Sequence, residues 1–195
     1  MDPLPSRLDL SKKARAGILQ AVFMLAFFTV FWAVFLFWGF YVTVFSILGC
    51  AVLVGIAVFI FCQGIQANRT LRSLPDGPAD PDDRRAQRRW NIIASVQGCT
   101  IGVVCAVLGS LGLYMYIVPA VALIVGIHYF PLGAMYHTAI HAVMGVGVVL
   151  IAVFGIISQA LGLLGNEAIG ICALAAALST AILGVYLLRL LRSAK

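Results

Sequence analysis

Three observations predict an all-α integral membrane protein folded as a six-helix bundle. Apolar residues make up 63% of the 195-residue chain, and mean hydropathy is +1.06. Apolar runs of spanning length recur along it. All thirteen Lys and Arg residues fall in three short segments that interrupt or flank those runs. A helix needs roughly 20 apolar residues to cross about 30 Å of hydrocarbon. Only helices or closed barrels satisfy their own backbone in lipid, and the strict alternation of a barrel strand is absent here.

The runs predict spans at 18–38, 42–62, 92–111, 116–135, 139–161 and 169–188, within a single transmembrane domain covering 1–195. The basic segments test that count. Arg7, Lys12, Lys13 and Arg15 precede span one. Arg69, Arg72, Arg84, Arg85, Arg88 and Arg89 occupy the second connection, and Arg189, Arg192 and Lys195 close the chain. The connections expected near Gly39, Gly112 and Gly165 carry no Lys or Arg. Basic loops stay cytoplasmic, so six spans place both termini in the cytoplasm, and five or seven would not. The first apolar run is too long for a cleavable signal peptide and reads as a signal anchor.

Span one carries Phe23, Phe27, Phe31 and Phe35 at every fourth position, an aromatic stripe expected to face lipid or pack as knobs. The connection at 63–91 is the only long one, a cytoplasmic linker and helix extension. Pro75, Pro78 and Pro81 make its centre irregular. Asp80 suits a helix cap, Pro81 the first helical position, and Asp82 and Asp83 the positive end of the dipole. The arginines that follow suit anionic headgroups, so the net charge of +6 does not imply a nucleic-acid partner.

Span three has small or polar residues at alternating spacings of four and three: Asn91, Ser95, Gly98, Gly102, Cys105, Gly109 and Gly112. Small residues let helix backbones approach in lipid, where apolar burial no longer drives association. Span five (Gly145, Ala152, Gly155, Gln159, Gly162) and span six (Gly170, Ala173, Ala177, Thr180, Gly184) repeat the device. Spans three, five and six are therefore expected to form the inner bundle, or to offer a face to a second copy or a membrane partner. Pro119 and Pro131 bracket span four, and Asn166 with Glu167 is placed to cap span six.

The candidate polar site lies around three histidines within fourteen residues: His128, His137 and His141, with Tyr129, Tyr136 and the more distant Gln159. His137 and His141 are four apart, one face of a helix. His128 sits about twelve residues into span four, roughly 18 Å from its outer end at 1.5 Å per residue. Such a group suits helix packing, or a proton-responsive cavity. Imidazoles at i, i+4 also suit a metal, so His137 and His141 are metal candidates by spacing alone. Position 138 is Thr where a zinc protease needs Glu. No cofactor is predicted, and no Ser–His–acid set, phosphate loop or carboxylate pair points to an enzyme. The five cysteines lie within spans without a CxxC pair and read as small apolar residues.

GIHYFPLG at 126–133 resembles the GxHFxPL stretch of a family of small multi-spanning bacterial membrane proteins, with Tyr129 where Phe is commoner. The resemblance covers eight residues. It implies a bacterial inner membrane and a structural or functional reason for His128 and Pro131, and it supplies no activity. The expected function is a small transport or permeation unit, with Gln20, Thr29, Gln97, Thr100, Ser158, Gln159 and Thr180 as candidates to line a path or bond across helices. The alternatives are a non-catalytic accessory subunit that packs against a partner, and a His-ligated metal or haem protein.

Overall fold

The computed structural model describes residues 12–73, 81–136 and 138–193. Six helices follow in order: α1 (Lys12–Phe40), α2 (Val44–Arg72), α3 (Pro81–Ser110), α4 (Ile117–Tyr136), α5 (Ala139–Ala160) and α6 (Glu167–Ser193). Each is long and apolar enough to cross a membrane. A single 3₁₀ turn, Tyr114–Tyr116, leads into α4, and there is no strand among the described residues. Pro81 opens α3 as expected. His137, the Asp80 cap and the side chain of Tyr136 lie outside the described residues.

The turns follow from local chemistry. α3 and α5 each end on a glycine in the left-handed region, Gly112 (φ 72°) and Gly162 (φ 65°). The next amides reach back five residues, Leu113 N–H to Leu108 O at 2.8 Å and Leu163 N–H to Ser158 O at 2.9 Å. This glycine-dependent closure satisfies carbonyls that a helix end would otherwise leave bare. Thr43 caps α2 in a reciprocal box with Ser46. Asn166 turns the chain into α6 through its carbonyl, which accepts from Ile169 N at 2.9 Å. Its side-chain amide donates to Tyr41 Oη at 3.2 Å and ties the α1–α2 turn to that of α5–α6.

α6 is the central helix and touches α1, α2, α4 and α5. Its buried face is small: Ala173, Ala176, Ala177, Thr180 and Ala181. α1 meets it with Val22, Ala26, Thr29, Ala33 and Leu36, all buried and spaced by four and three, the repeat that keeps one helix face on a neighbour. Bulky residues turn outward from α1, with Phe27 and Phe31 exposed, as the aromatic stripe predicts. Near the end away from the termini the α1 and α6 backbones cross: a Cβ on Gly39 would collide with the backbone of Gly170. Gly39 is therefore the last turn of a helix in contact, not the connection expected there. The connection comes two residues later, at Tyr41–Thr43.

α5 packs on α4 and α6 through its own small face. A Cβ on Gly145 would lie 2.9 Å from Gly126 O, and one on Gly155 would lie 2.5 Å from Cys172 Sγ. α4 runs through Pro131 unbroken to Tyr136. At the terminal end, Ile18, Val22, Ile60 and Leu187 form a second apolar cluster, and Arg192 donates to Gln63 Oε1. The basic ends of α1, α2 and α6 thus gather together.

α3 departs from the expected inner bundle. It lies at the edge, against α4 with a lesser contact to α1. Gly98 and Gly102 are exposed, and a Cβ on either would meet no atom within 4 Å. Gly109 approaches only the Tyr114 ring. The half-buried face is instead Ile93, Gln97, Ile101, Val104 and Leu108, because the bulkier side of α3 fills the groove beside α4. Gly145, Gly155, Ala177 and Gly184 are all buried.

Candidate functional site

A belt of buried polar groups crosses the bundle near its middle, and α6 organises it. Ser179 and Thr180 are consecutive, so their side chains diverge by about 100° around the helix and address different neighbours. Thr180 Oγ1 lies 3.0 Å from Thr29 Oγ1 of α1. Ser179 Oγ lies 3.2 Å from Tyr129 Oη of α4. All four are buried.

Ser179 Oγ also reaches Ala176 O at 2.8 Å. With its single proton on that carbonyl, Ser179 accepts from the Tyr129 hydroxyl; turned the other way, it donates to Tyr129. Thr29 and Thr180 also reach backbone carbonyls in their own helices, Leu25 O at 2.8 Å and Ala177 O at 2.9 Å. One of these hydroxyls can therefore turn its proton to the other without leaving a carbonyl that lacks its helical partner. Buried polar groups in lipid need such partners.

Tyr129 carries the belt on to α5. Its ring meets the imidazole of His141 edge to face, centroids 6.5 Å apart. His141 is buried in the first turn of α5. Its Nδ1 lies 2.6 Å from the hydroxyl of Thr138, the N-cap residue. That hydroxyl caps no backbone amide, because the imidazole occupies it. Gly133 permits the tight return: a Cβ there would lie 3.2 Å from His141 Cβ.

His128, one residue before Tyr129, faces away from the belt. It is half-buried, with its ring 6.4 Å from that of Trp90 on α3. Trp90 follows Arg88 and Arg89 directly, and both arginines are exposed. Arginine at a span end reaches the headgroup region, and Trp favours the same level. His128 therefore packs against the arginine-bearing end of α3.

The structure thus gathers Tyr129 and His141 into one contact and puts His128 beside it on the α3 side. Gln159 is elsewhere. It lies eighteen residues beyond His141 on the same helix, about 27 Å away, where Nε2 donates to Gly165 O at 2.8 Å and closes the α5–α6 turn. No group of three or more metal-ligating side chains occurs among the described residues.

Ser179, Thr138 and Trp90 are the partners that sequence reading overlooks. The Ser–Thr pair in the middle of an otherwise apolar span was the available signal. Trp90 and Thr138 had none stronger than their place at span ends. Trp32 Nε1 and Ser158 Oγ are buried without a hydrogen-bond partner among the described residues. Comparison of the chain with family models, curated proteins and solved structures finds no match.

Proposed function

We propose that this multi-pass membrane protein is a non-catalytic accessory subunit that acts by helix packing against a membrane partner. The observation that carries the reading is the closure of the interior. α1 meets α6 at Gly39 and Gly170, α4 meets α5 at Gly126 and Gly145, and α5 meets α6 at Gly155 and Cys172, each too close for an added methyl group. A permeation path needs polar groups turned toward water along its length. Here Thr29, Thr180, Ser179 and Tyr129 turn toward one another. Gln20 and Thr100 lie exposed on the outside of the bundle, and Gln159 serves a turn.

The basic segments support an orientation with both termini in the cytoplasm, and the GIHYFPLG stretch favours a bacterial inner membrane. Exposed Arg85, Arg88 and Arg89 suit anionic headgroups there. The face left for a partner is that of α3.

Thiol accessibility tests the reading. With the native cysteines replaced, Val125→Cys, Ala152→Cys and Thr180→Cys are expected to resist a membrane-impermeant thiol reagent, while Arg72→Cys reacts. Labelling of all three mid-span positions would mean a water-filled path and overturn the accessory role in favour of permeation. The second arm is assembly size in lipid nanodiscs drawn directly from the membrane. Gly98→Leu with Gly102→Leu should reduce it, and an unchanged size would leave α3 without a partner to lose.

A further inference from the structure

We infer that His128 and Trp90 form a proton-responsive joint between α4 and the base of α3. Three observations meet at this point. The two rings touch edge to face across the α3–α4 seam. His128 is only half-buried, and its partner Trp90 directly follows the exposed Arg88 and Arg89, residues that favour the headgroup level. α3 lies at the edge of the bundle, packed on α4 with only a lesser contact to α1. Loss of one contact near its base therefore matters more than the same loss in α6, which is surrounded by four helices.

The surrounding charges set the sign. From α3, the charged residues within a turn of Trp90 are Arg88 and Arg89. From α5, the titratable neighbour is His141, packed on Tyr129, the next residue of α4. From α4 itself it is Tyr129. Ser179 on α6 does not titrate. No Asp or Glu occurs between Arg84 and Asn166, and Asp82 and Asp83 stand about two helical turns before Trp90.

A protonated His128 gains a cation–π contact with one indole, but carries its charge in a half-buried position with no acidic residue on α4 or α5 to pair it. Unperturbed imidazole titrates near neutrality. The cation–π gain at a partly exposed site is smaller than the cost of holding an unpaired charge away from water. Protonation loosens the joint and frees the base of α3, whereas the neutral ring keeps it seated. The belt of Thr29, Thr180, Ser179 and Tyr129 contains no group that changes charge near neutral pH, so the core of the bundle stays fixed while α3 responds.

Trp90 is its own reporter. In a chain with Trp32→Phe and Trp38→Phe, lowering pH from about 8 to about 3, an interval that runs from above free imidazole titration to well below it, should change Trp90 emission in a single step. His128→Gln should abolish that step, and His141→Gln should retain it. The native chain answers the same question by hydrogen exchange without any tryptophan replaced. After correction for intrinsic rate, amides of residues 88–95 should exchange about fivefold faster in acid, as local opening predicts, and α6 amides should not. A step that survives in His128→Gln, or exchange over 88–95 that ignores pH, overturns the joint.

Discussion

α3 and α6 carry the same sequence device and meet opposite fates. Each presents small residues along one face, Ser95, Gly98, Gly102 and Gly109 in α3 and Gly170, Ala173, Ala177 and Gly184 in α6. In α6 that face is buried and the neighbouring helices come within backbone contact. In α3, Gly98 and Gly102 stand open, while bulkier residues of the opposite side pack on α4. Small residues permit close approach, but they attract nothing by themselves. α6 is filled because α1 brings a matching face of Ala26, Thr29 and Ala33. Among the described residues no helix does that for Gly98 and Gly102 of α3.

The largest effect should come where the filled seam is tightest. Gly39→Val places side-chain carbon where the backbone of Gly170 lies, and backbone cannot yield as a side-chain tip can. The expected cost is about 3 kcal/mol, the upper range for overpacking, read as a lowered midpoint of unfolding in mixed micelles. A Gly39→Val protein as stable as the parent would mean that the α1–α6 crossing is not as described. Gly155→Val should follow at about 1–3 kcal/mol. Its Cβ would meet Cys172 Sγ, one atom of a side chain that can rotate, so the neighbour gives and the cost falls.

These seams also mark the limit of what the sequence makes legible. The six spans were readable because transfer into lipid depends on each segment alone. The expected span 139–161 and the helix Ala139–Ala160 nearly coincide, and Pro81 opens α3 where turn chemistry puts it. Pairing depends on two segments at once. Gly39 reads as a turn by composition and becomes a crossing only because α6 passes beside it. The site was half legible for the same reason. Clustered histidines pointed to the α4–α5 hairpin, yet the partners of Tyr129 and His128 sit fifty residues later, at Ser179, and on another helix, at Trp90. Gln159 shares the helix of His141, but eighteen residues separate two groups that hydropathy treats alike.

A smaller effect tests the polar bond inside the filled seam. Thr29 and Thr180 contribute a hydroxyl each at 3.0 Å, and interhelical bonds of this kind measure about 0.6 kcal/mol in lipid, reaching about 1.7. Thr180→Val and Thr29→Val, made singly and together, should show a coupling of that order in a double-mutant cycle. Thr100→Val on the exposed side of α3 should change stability by less than about 0.5 kcal/mol, the usual range for surface sites. Equal costs at positions 100 and 180 would erase the distinction between the two stripes.

Gly102→Leu should not weaken the fold and carries the most information. Its Cβ meets open space, and a leucine there exchanges helix-weakening glycine for a good helix former. Monomer stability should hold or rise slightly, by up to about 1 kcal/mol. The same change made on α6, Gly184→Leu, drives carbon toward Ile60, whose Cδ1 would lie 3.0 Å from a Cβ there, and should destabilise. A face that tolerates leucine without loss is under no constraint from its own fold. If Gly102→Leu nevertheless shrinks the assembly isolated in nanodiscs, the small residues of α3 serve a contact outside the chain. If stability falls as it does for Gly184→Leu, α3 packs within the bundle after all, and its open face is not open in the membrane.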